Sequence, residues 1–349
     1  MNIGINGFGR IGRTSFRVWY EKHRDTSSLV AVNTSGSMDI AAWAHLLKYD
    51  SNYGVWSQEI KVEEHQKAKA ATDADPLIGT FIIGDKHIQV LAQRDPAKLP
   101  WGSLNVDTVI ESTGIFITQE KASEHLAGGA KRVIISAPPK GEGIGTYVIG
   151  VNEEQAQGVD KSKTIISNAS CTTNCVAPVI AVLHSTFGIK KALMTTIHAY
   201  TDDQNLQDNS HRDLRRARSA AKNIVPTSTG AAIAVTETVP ELKGLFDGLS
   251  MRVPVSTGSL SDMTMVLARP VTVEEINKAL IDASQTPRWK GILATTTDPI
   301  VSSDIVGRSE SSIVDLALTQ VMGGDLVKVV SWYDNEWGYC NRLVEQAIV

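Results

Sequence analysis

Asn6-Gly7-Phe8-Gly9-Arg10-Ile11-Gly12 follows at once on the alternating segment Met1-Asn2-Ile3-Gly4-Ile5 and leads into Ile11 to His23, where apolar residues recur at helical spacing. A G-x-G-x-x-G stretch between a strand and a helix reads as the phosphate-binding turn of a dinucleotide fold. Gly7 permits the tight turn, Gly9 lets a pyrophosphate approach the backbone, and Gly12 allows helix to pack closely on strand. The helix amino terminus then offers oriented N–H groups to the phosphates. A glycine turn of purely structural use is the alternative.

Outward from this turn, β-branched runs at Ile3 to Asn6, Leu29 to Asn33, Thr108 to Glu111, Arg132 to Ser136 and Thr164 to Ser167 alternate with helical patterns at Ile40 to Tyr49 and Gln119 to Leu126. That alternation predicts βαβ units on a parallel sheet. Past residue 170 the pattern changes to longer strands, Ala192 to His198, Leu249 to Val255, Ser261 to Leu267 and Val327 to Tyr333, with one helix expected at Val273 to Ala283 and a last one from residue 336. The fold class expected is α/β: a Rossmann-type parallel-sheet domain over 1–170, plus an α+β domain over 171–335 with a largely antiparallel sheet covered on one face. Gln66 to Gly79 reads as a surface insertion, and Asp202 to Arg218 as a long polar loop of functional or interfacial use.

Composition limits the partners. The 349 residues carry 34 Lys+Arg against 38 Asp+Glu, a formal charge of -4, so no whole-molecule field draws in nucleic acid or an anionic membrane. Three cysteines do not make a secreted disulfide framework, and the amino terminus lacks the layout of a signal peptide; a cytoplasmic setting is expected. The longest apolar stretch, Val176 to Leu183, is far too short to span a bilayer.

The second strand ends at Asn33-Thr34-Ser35-Gly36-Ser37, where an NAD-selective site usually places an acid on the ribose 2′-hydroxyl. With Thr34 there, a barrier to a 2′-phosphate is removed, although no nearby arginine supplies attraction. Asp39 reads as the acid of a helix start. Ser167-Asn168-Ala169-Ser170-Cys171-Thr172-Thr173-Asn174-Cys175 joins a strand to an apolar helical run, which places Cys171 near a helix amino terminus, where the dipole favours the thiolate. A small core cysteine is the plainer reading, and Cys175, one turn on, fits it. C-x-x-x-C without a second ligand pair does not build a zinc site, so no metal is expected. His198 ends a strand-like run; with Cys171 it forms a candidate pair for thiolate attack on an aldehyde.

These segments, with Ala44-His-Leu-Leu-Lys-Tyr-Asp50, Glu111-Ser-Thr-Gly114, His198-Ala-Tyr-Thr201, Asp213-Leu-Arg-Arg-Ala-Arg218, Pro226-Thr-Ser-Thr-Gly230, Arg252-Val-Pro254 and Trp332-Tyr-Asp-Asn-Glu-Trp-Gly-Tyr339, closely resemble the phosphorylating glyceraldehyde-3-phosphate dehydrogenases over nearly the whole chain. The resemblance implies a reversible two-step reaction with NAD or NADP: Cys171 forms a thioester, His198 is the base, and inorganic phosphate releases the acyl group. It assigns Arg252 and Thr201 to the substrate phosphate, and Ser170, Thr172, Thr229 and Gly230 to the attacking phosphate, with Arg216 nearby. It places Asn335 on the nicotinamide carboxamide. Arg10, Ile11, Arg94, Thr113 and Ser136 are to line the cofactor cleft, with Asn33 and Thr34. It also implies a homotetramer, and a terminal helix (336–349) that returns to the first domain. Thr34 replaces the Asp of many NAD-using members, and Ser210 stands where they often carry Pro; both favour NADP use. Erythrose-4-phosphate dehydrogenase is the alternative within the class, and a catalytically silent binding or regulatory protein on the same fold is the alternative outside it.

Overall fold

The computed structural model describes residues 1–157 and 164–349. They form two compact units, one of Met1–Thr146, Glu154–Asn168 and Cys340–Val349, the other of Tyr147–Glu153 and Ala169–Tyr339.

The first unit is built on a nine-stranded sheet. Strand Asn2–Asn6 lies at its centre, parallel to Ser28–Thr34 on one side and Thr108–Glu111 on the other. Arg132–Ile135 and Thr164–Ser167 continue the parallel order outward from Thr108–Glu111. Three strands absent from the sequence reading extend the opposite side, the outermost being Lys61–Glu64, antiparallel to Leu77–Ile83. Lys86–Ala92 runs parallel to Ser28–Thr34, and Leu77–Ile83 turns back antiparallel to it through Gly84-Asp85. The expected insertion therefore ends at Pro76: Leu77 to Gly79 are already strand, and 66–76 is its lead-in, with a short 3-10 turn at Ala68–Ala70. Hydrophobic strand residues buried on both faces explain the parallel arrangement, and Phe8, between the first two glycines, is driven into an aromatic cluster with Phe16, Trp43 and Phe81. The glycine turn is thus anchored by about the burial energy of one large side chain, roughly 2–3 kcal/mol.

The second unit carries an eight-stranded sheet. Ile189–Ala199 pairs antiparallel with Ser259–Leu267, which pairs antiparallel with Leu326–Tyr333; Ile189–Ala199 also runs parallel to Phe246–Val253. One face packs on helices Cys171–Phe187, Ala231–Thr238 and Val273–Ser284, and the core between them includes Val176, Ile180, Leu183, Met194, Met263 and Leu280. The other face leaves Leu193 and Leu249 64% and 41% exposed. Among the described residues no helix is long and apolar enough to cross a membrane.

Candidate active site

In the first unit, the residues expected around a cofactor gather at the carboxyl ends of the parallel strands. Gly7 has φ +92°, and its N–H donates to the Asn33 carbonyl at 3.0 Å. A Cβ on Gly12 would lie 2.0 Å from the Gly7 oxygen, whereas one on Gly9 would meet nothing within 4 Å. Gly12 is therefore needed for packing, and Gly9 leaves open space outside the turn, which is the division of labour a bound pyrophosphate requires. Helix Arg10–Lys22 starts there with no side-chain cap, so its first N–H groups are presented outward. The Arg10 side chain itself is engaged by Asp50 at 2.5 Å. Burial acts to raise the Asp50 carboxyl, but Arg10 and the N–H groups of Asn52 and Tyr53 outweigh it and hold it below the usual range.

Thr34 is buried, and its hydroxyl donates to the Leu91 carbonyl while accepting from Gly36 N–H, so its side chain faces the sheet. The expectation that no arginine stands nearby is corrected: Arg94, which enters from the end of Lys86–Ala92, brings Nε within 3.4 Å of the Ser35 carbonyl. Asp39 occupies the N-cap of helix Ile40–Lys48 as expected, but its carboxylate accepts from Ala68 N–H and does not cap the helix. Thr113 bonds the Glu111 carboxylate, and Ser136 N–H bonds the Glu111 carbonyl.

In the second unit, Ser170 is the N-cap of helix Cys171–Phe187, accepting from Thr173 N–H at 3.0 Å. The residue before it, Ala169, is fully buried at φ +55°, a left-handed turn that directs the chain into the helix. Cys171 is thus the first helical residue. Its Sγ lies 3.3 Å from His198 Nε2. His198 is supplied by strand Ile189–Ala199, whose register places Arg252 of the parallel neighbour directly beside it. Arg252 Nη1 is 2.6 Å from His198 Nδ1 and 3.2 Å from the Ala199 carbonyl, while its buried Nε has no partner among the described residues.

The electrostatics follow from this contact. Burial, then the Arg252 charge, push the His198 imidazole down to about 3, so the ring is a neutral base. Burial pushes the Cys171 thiol above its ordinary value, and the Arg252 charge and the Thr172 N–H oppose that by favouring the anion. At Cys175 burial outweighs Ser331, Ser312 and Ser261, which favour its anion. The residue is fully buried and pushed up to about 12, an inert core thiol.

Around the pair, Thr172 is buried and its hydroxyl is shared with Tyr333 at 2.8 Å, which in turn reaches Thr196 at 2.7 Å. Thr196 donates to the Leu260 carbonyl, so Tyr333 donates to Thr196 and Thr172 donates to Tyr333. The Thr172 hydroxyl is thus spent on Tyr333, and its backbone N–H acts on Cys171. Thr201 and Arg216 both bond Asp203, an acid that the sequence reading did not single out, and Arg216 also reaches the Ser228 carbonyl. Thr229 accepts from Ala231 N–H, and Gly230 is the N-cap of Ala231–Thr238. Asn335 accepts at Oδ1 from Gly258 N–H and the Ser259 hydroxyl, leaving its Nδ2 as the donor with no partner among the described residues. Ser259 accepts from Ala199 N–H, so Asn335 is tied to the residue after His198. Ser210 lies exposed on the loop that begins at Asp202.

Residues 170–335 match the family model described as the C-terminal domain of glyceraldehyde 3-phosphate dehydrogenase, and residues 1–119 match the NAD binding domain of the same enzyme. The chain is 52% identical over 349 residues to glyceraldehyde-3-phosphate dehydrogenase 2 of Streptomyces avermitilis, covering 100% of this chain and 98% of the relative. It is 51% identical over 348 residues to the enzyme of Streptomyces coelicolor, covering 100% and 98%, and 51% identical over 350 residues to that of Mycolicibacterium smegmatis, covering 99% and 97%. Whole-length similarity of this degree, with both domain models matched in order, means that the chain belongs to the glyceraldehyde-3-phosphate dehydrogenase family.

Proposed function

We infer that the chain oxidises D-glyceraldehyde 3-phosphate with NAD+ and inorganic phosphate, reversibly, to 1,3-bisphosphoglycerate. The observation that carries the reading is Cys171 at a helix amino terminus, 3.3 Å from a neutral imidazole. The Cys171 sulfur adds to the aldehyde carbon and forms a hemithioacetal. NAD+, when bound, supplies the hydride acceptor, and the open turn at Gly9 with the first N–H groups of Arg10–Lys22 suits its pyrophosphate. As the hydride leaves, His198 Nε2, which is unprotonated because Nδ1–H donates to the Ala199 carbonyl at 2.6 Å, takes the hydroxyl proton and a thioester remains on Cys171. A phosphate oxygen then attacks the thioester carbonyl, and sulfur departs as thiolate.

Arg252, with its unpartnered Nε, and Thr201 are suited to the substrate phosphate. Ser170, Thr229, Arg216 and the N–H groups of Thr172 and Gly230 are suited to the attacking phosphate. A phosphate dianion on Arg252 offsets the Arg252 charge, which is second to burial in holding His198 down, so substrate binding moves the imidazole toward greater basicity. Asn335 Nδ2 is the donor available to the nicotinamide carboxamide. The test is dehydrogenase activity with and without inorganic phosphate, on glyceraldehyde 3-phosphate and on erythrose 4-phosphate. Phosphate-dependent oxidation of the triose is expected; a rate indifferent to phosphate overturns the reading.

We further propose that NADP is used appreciably. With Thr34 turned into the sheet no side-chain acid repels a 2′-phosphate, and Arg94 beside Ser35 supplies a cation. Specificity constants a hundredfold or more in favour of NAD overturn this. The partly exposed sheet face bearing Leu193 and Leu249 supports assembly of copies, which we take to be a tetramer; sedimentation as a monomer contradicts it. A cytoplasmic setting remains our expectation from the cysteine content.

A further inference from the structure

Beneath the glycine turn lies a fully buried carboxylate that the reaction does not use. The Glu111 side chain, at 0% exposure, is met by four donors. Thr113 N–H reaches Oε1 at 2.7 Å, joined there by the Thr113 hydroxyl; Asn6 Nδ2 reaches Oε2 at 2.6 Å, and His125 Nε2 reaches it at 2.9 Å. The direction of the last bond is fixed by Trp101, whose indole N–H has only a proton to give and delivers it to His125 Nδ1 at 3.1 Å. His125 Nε2 therefore carries the proton and donates. From Asn6 the chain of bonds continues: Asn33 Nδ2 donates to Asn6 Oδ1 at 2.7 Å, Gln93 N–H donates to Asn33 Oδ1 at 3.0 Å, and Gln93 Oε1 accepts from Arg94 N–H at 2.8 Å. One network thus crosses the carboxyl ends of the four strands that carry Asn6, Asn33, Glu111 and the lead-out to Arg94.

We propose that Glu111 is a positioning residue for the dinucleotide, acting through Thr113 and Asn6. This rests on the family's binding of NAD by this unit. Thr113 N is the wall of the glycine turn: a Cβ on Gly7 would lie 2.8 Å from it. Glu111 holds both the N–H and the hydroxyl of Thr113, and it holds the side chain of the residue before Gly7, so it fixes the turn from two sides. A neutral acceptor cannot do this. Glutamine has one acceptor oxygen where the carboxylate has two, so Glu111→Gln sets an N–H against at least one buried donor, and the turn must shift to relieve it.

The experiment titrates NAD+ binding by quenching of protein fluorescence and measures steady-state constants in the full-length enzyme, Glu111→Gln and His125→Leu. In Glu111→Gln the Kd and KM for NAD+ are expected to rise about tenfold, the cost of one unsatisfied buried group. Turnover at saturating NAD+ and the KM values for aldehyde and phosphate are expected to stay at wild-type level. His125→Leu, which removes one of the four donors, is expected to give a smaller rise of the same sign. An unchanged Kd in either folded variant overturns the proposal, as does a loss confined to turnover or to melting temperature. Failure of both variants to fold also overturns it, since the cluster then supports the fold and not the turn. If wild type itself fails to bind NAD+, the functional reading fails, separately from this one.

Discussion

Replacing Arg252 with glutamine removes a guanidinium that acts on both partners of the reacting pair and, in the proposed reaction, on the substrate. In the free site its charge adds to burial, the larger influence, in keeping His198 neutral, and it favours the anion on Cys171. Burial, the larger influence on the thiol, already holds it above the ordinary value; without Arg252 it moves higher still. At neutral pH less thiolate is then present, and the rate of alkylation by iodoacetamide, which rises with pH up to the thiol's own titration, shifts to more alkaline pH. The imidazole moves the other way in reactivity, up from about 3 toward its usual range. For the phosphorylated aldehyde the variant also loses a charged hydrogen-bond donor. That contact is worth about 1.5–3 kcal/mol, or roughly 10- to 150-fold in kcat/KM. Unphosphorylated glyceraldehyde never makes the contact and loses less. The assays are the pH profile of alkylation in the absence of substrate and the ratio of kcat/KM for the two aldehydes. An alkylation profile that stays put or moves to acid refutes the electrostatic reasoning, and equal losses with both aldehydes refute the assignment of Arg252 to the phosphate.

His198→Asn removes the base 3.3 Å from sulfur and is expected to slow thioester formation 100- to 10,000-fold, a range of about 10²–10⁴ being usual for a positioned acid-base group, read as the burst of NADH in a single turnover; NAD+ affinity should not change. Gly12→Ala places a methyl 2.0 Å from the Gly7 oxygen, which is backbone and cannot swing aside, so a loss of about 1–3 kcal/mol in denaturant unfolding is expected together with loss of NAD+ binding; wild-type affinity contradicts it. Tyr333→Phe strands the buried hydroxyl of Thr172, removes the donor to Thr196 and is expected to cost about 1–3 kcal/mol of stability, while titration calorimetry with NAD+ gives the wild-type value.

The parallel strands of the first unit were readable because Ile3, Val32, Val109, Val133 and Ile165 stand in short apolar runs next to helical patterns. Leu77–Ile83 and Lys86–Ala92 were not, because Gly79 interrupts one run, charged and polar residues dilute the other, and the polar stretch before them suggests a surface excursion. The Gly84-Asp85 pair between them is the hairpin signal that finds them. Cys171 and His198 were legible as residues, since motif and helix start point to them. Their electrostatics were not: the contact of His198 with Arg252 arises from strand register across 54 residues, which no local pattern encodes. The same holds for Thr34, whose hydroxyl turns inward to a strand that the sequence reading had not found.

The left-handed turn at Ala169 has a consequence for what the chain tolerates just ahead of its nucleophile. The slot is fully buried, which admits only a small side chain, and the positive φ disfavours any Cβ at a cost of about 1 kcal/mol or more. Glycine satisfies both filters and alanine only the first. Glycine relaxes the backbone but widens the unfolded ensemble and frees the turn to wander; alanine accepts the strain and keeps a single path into the helix. The sulfur is launched from a segment with almost no conformational slack, so evolution has far less room to vary one methyl group at Ala169 than its plain chemistry suggests.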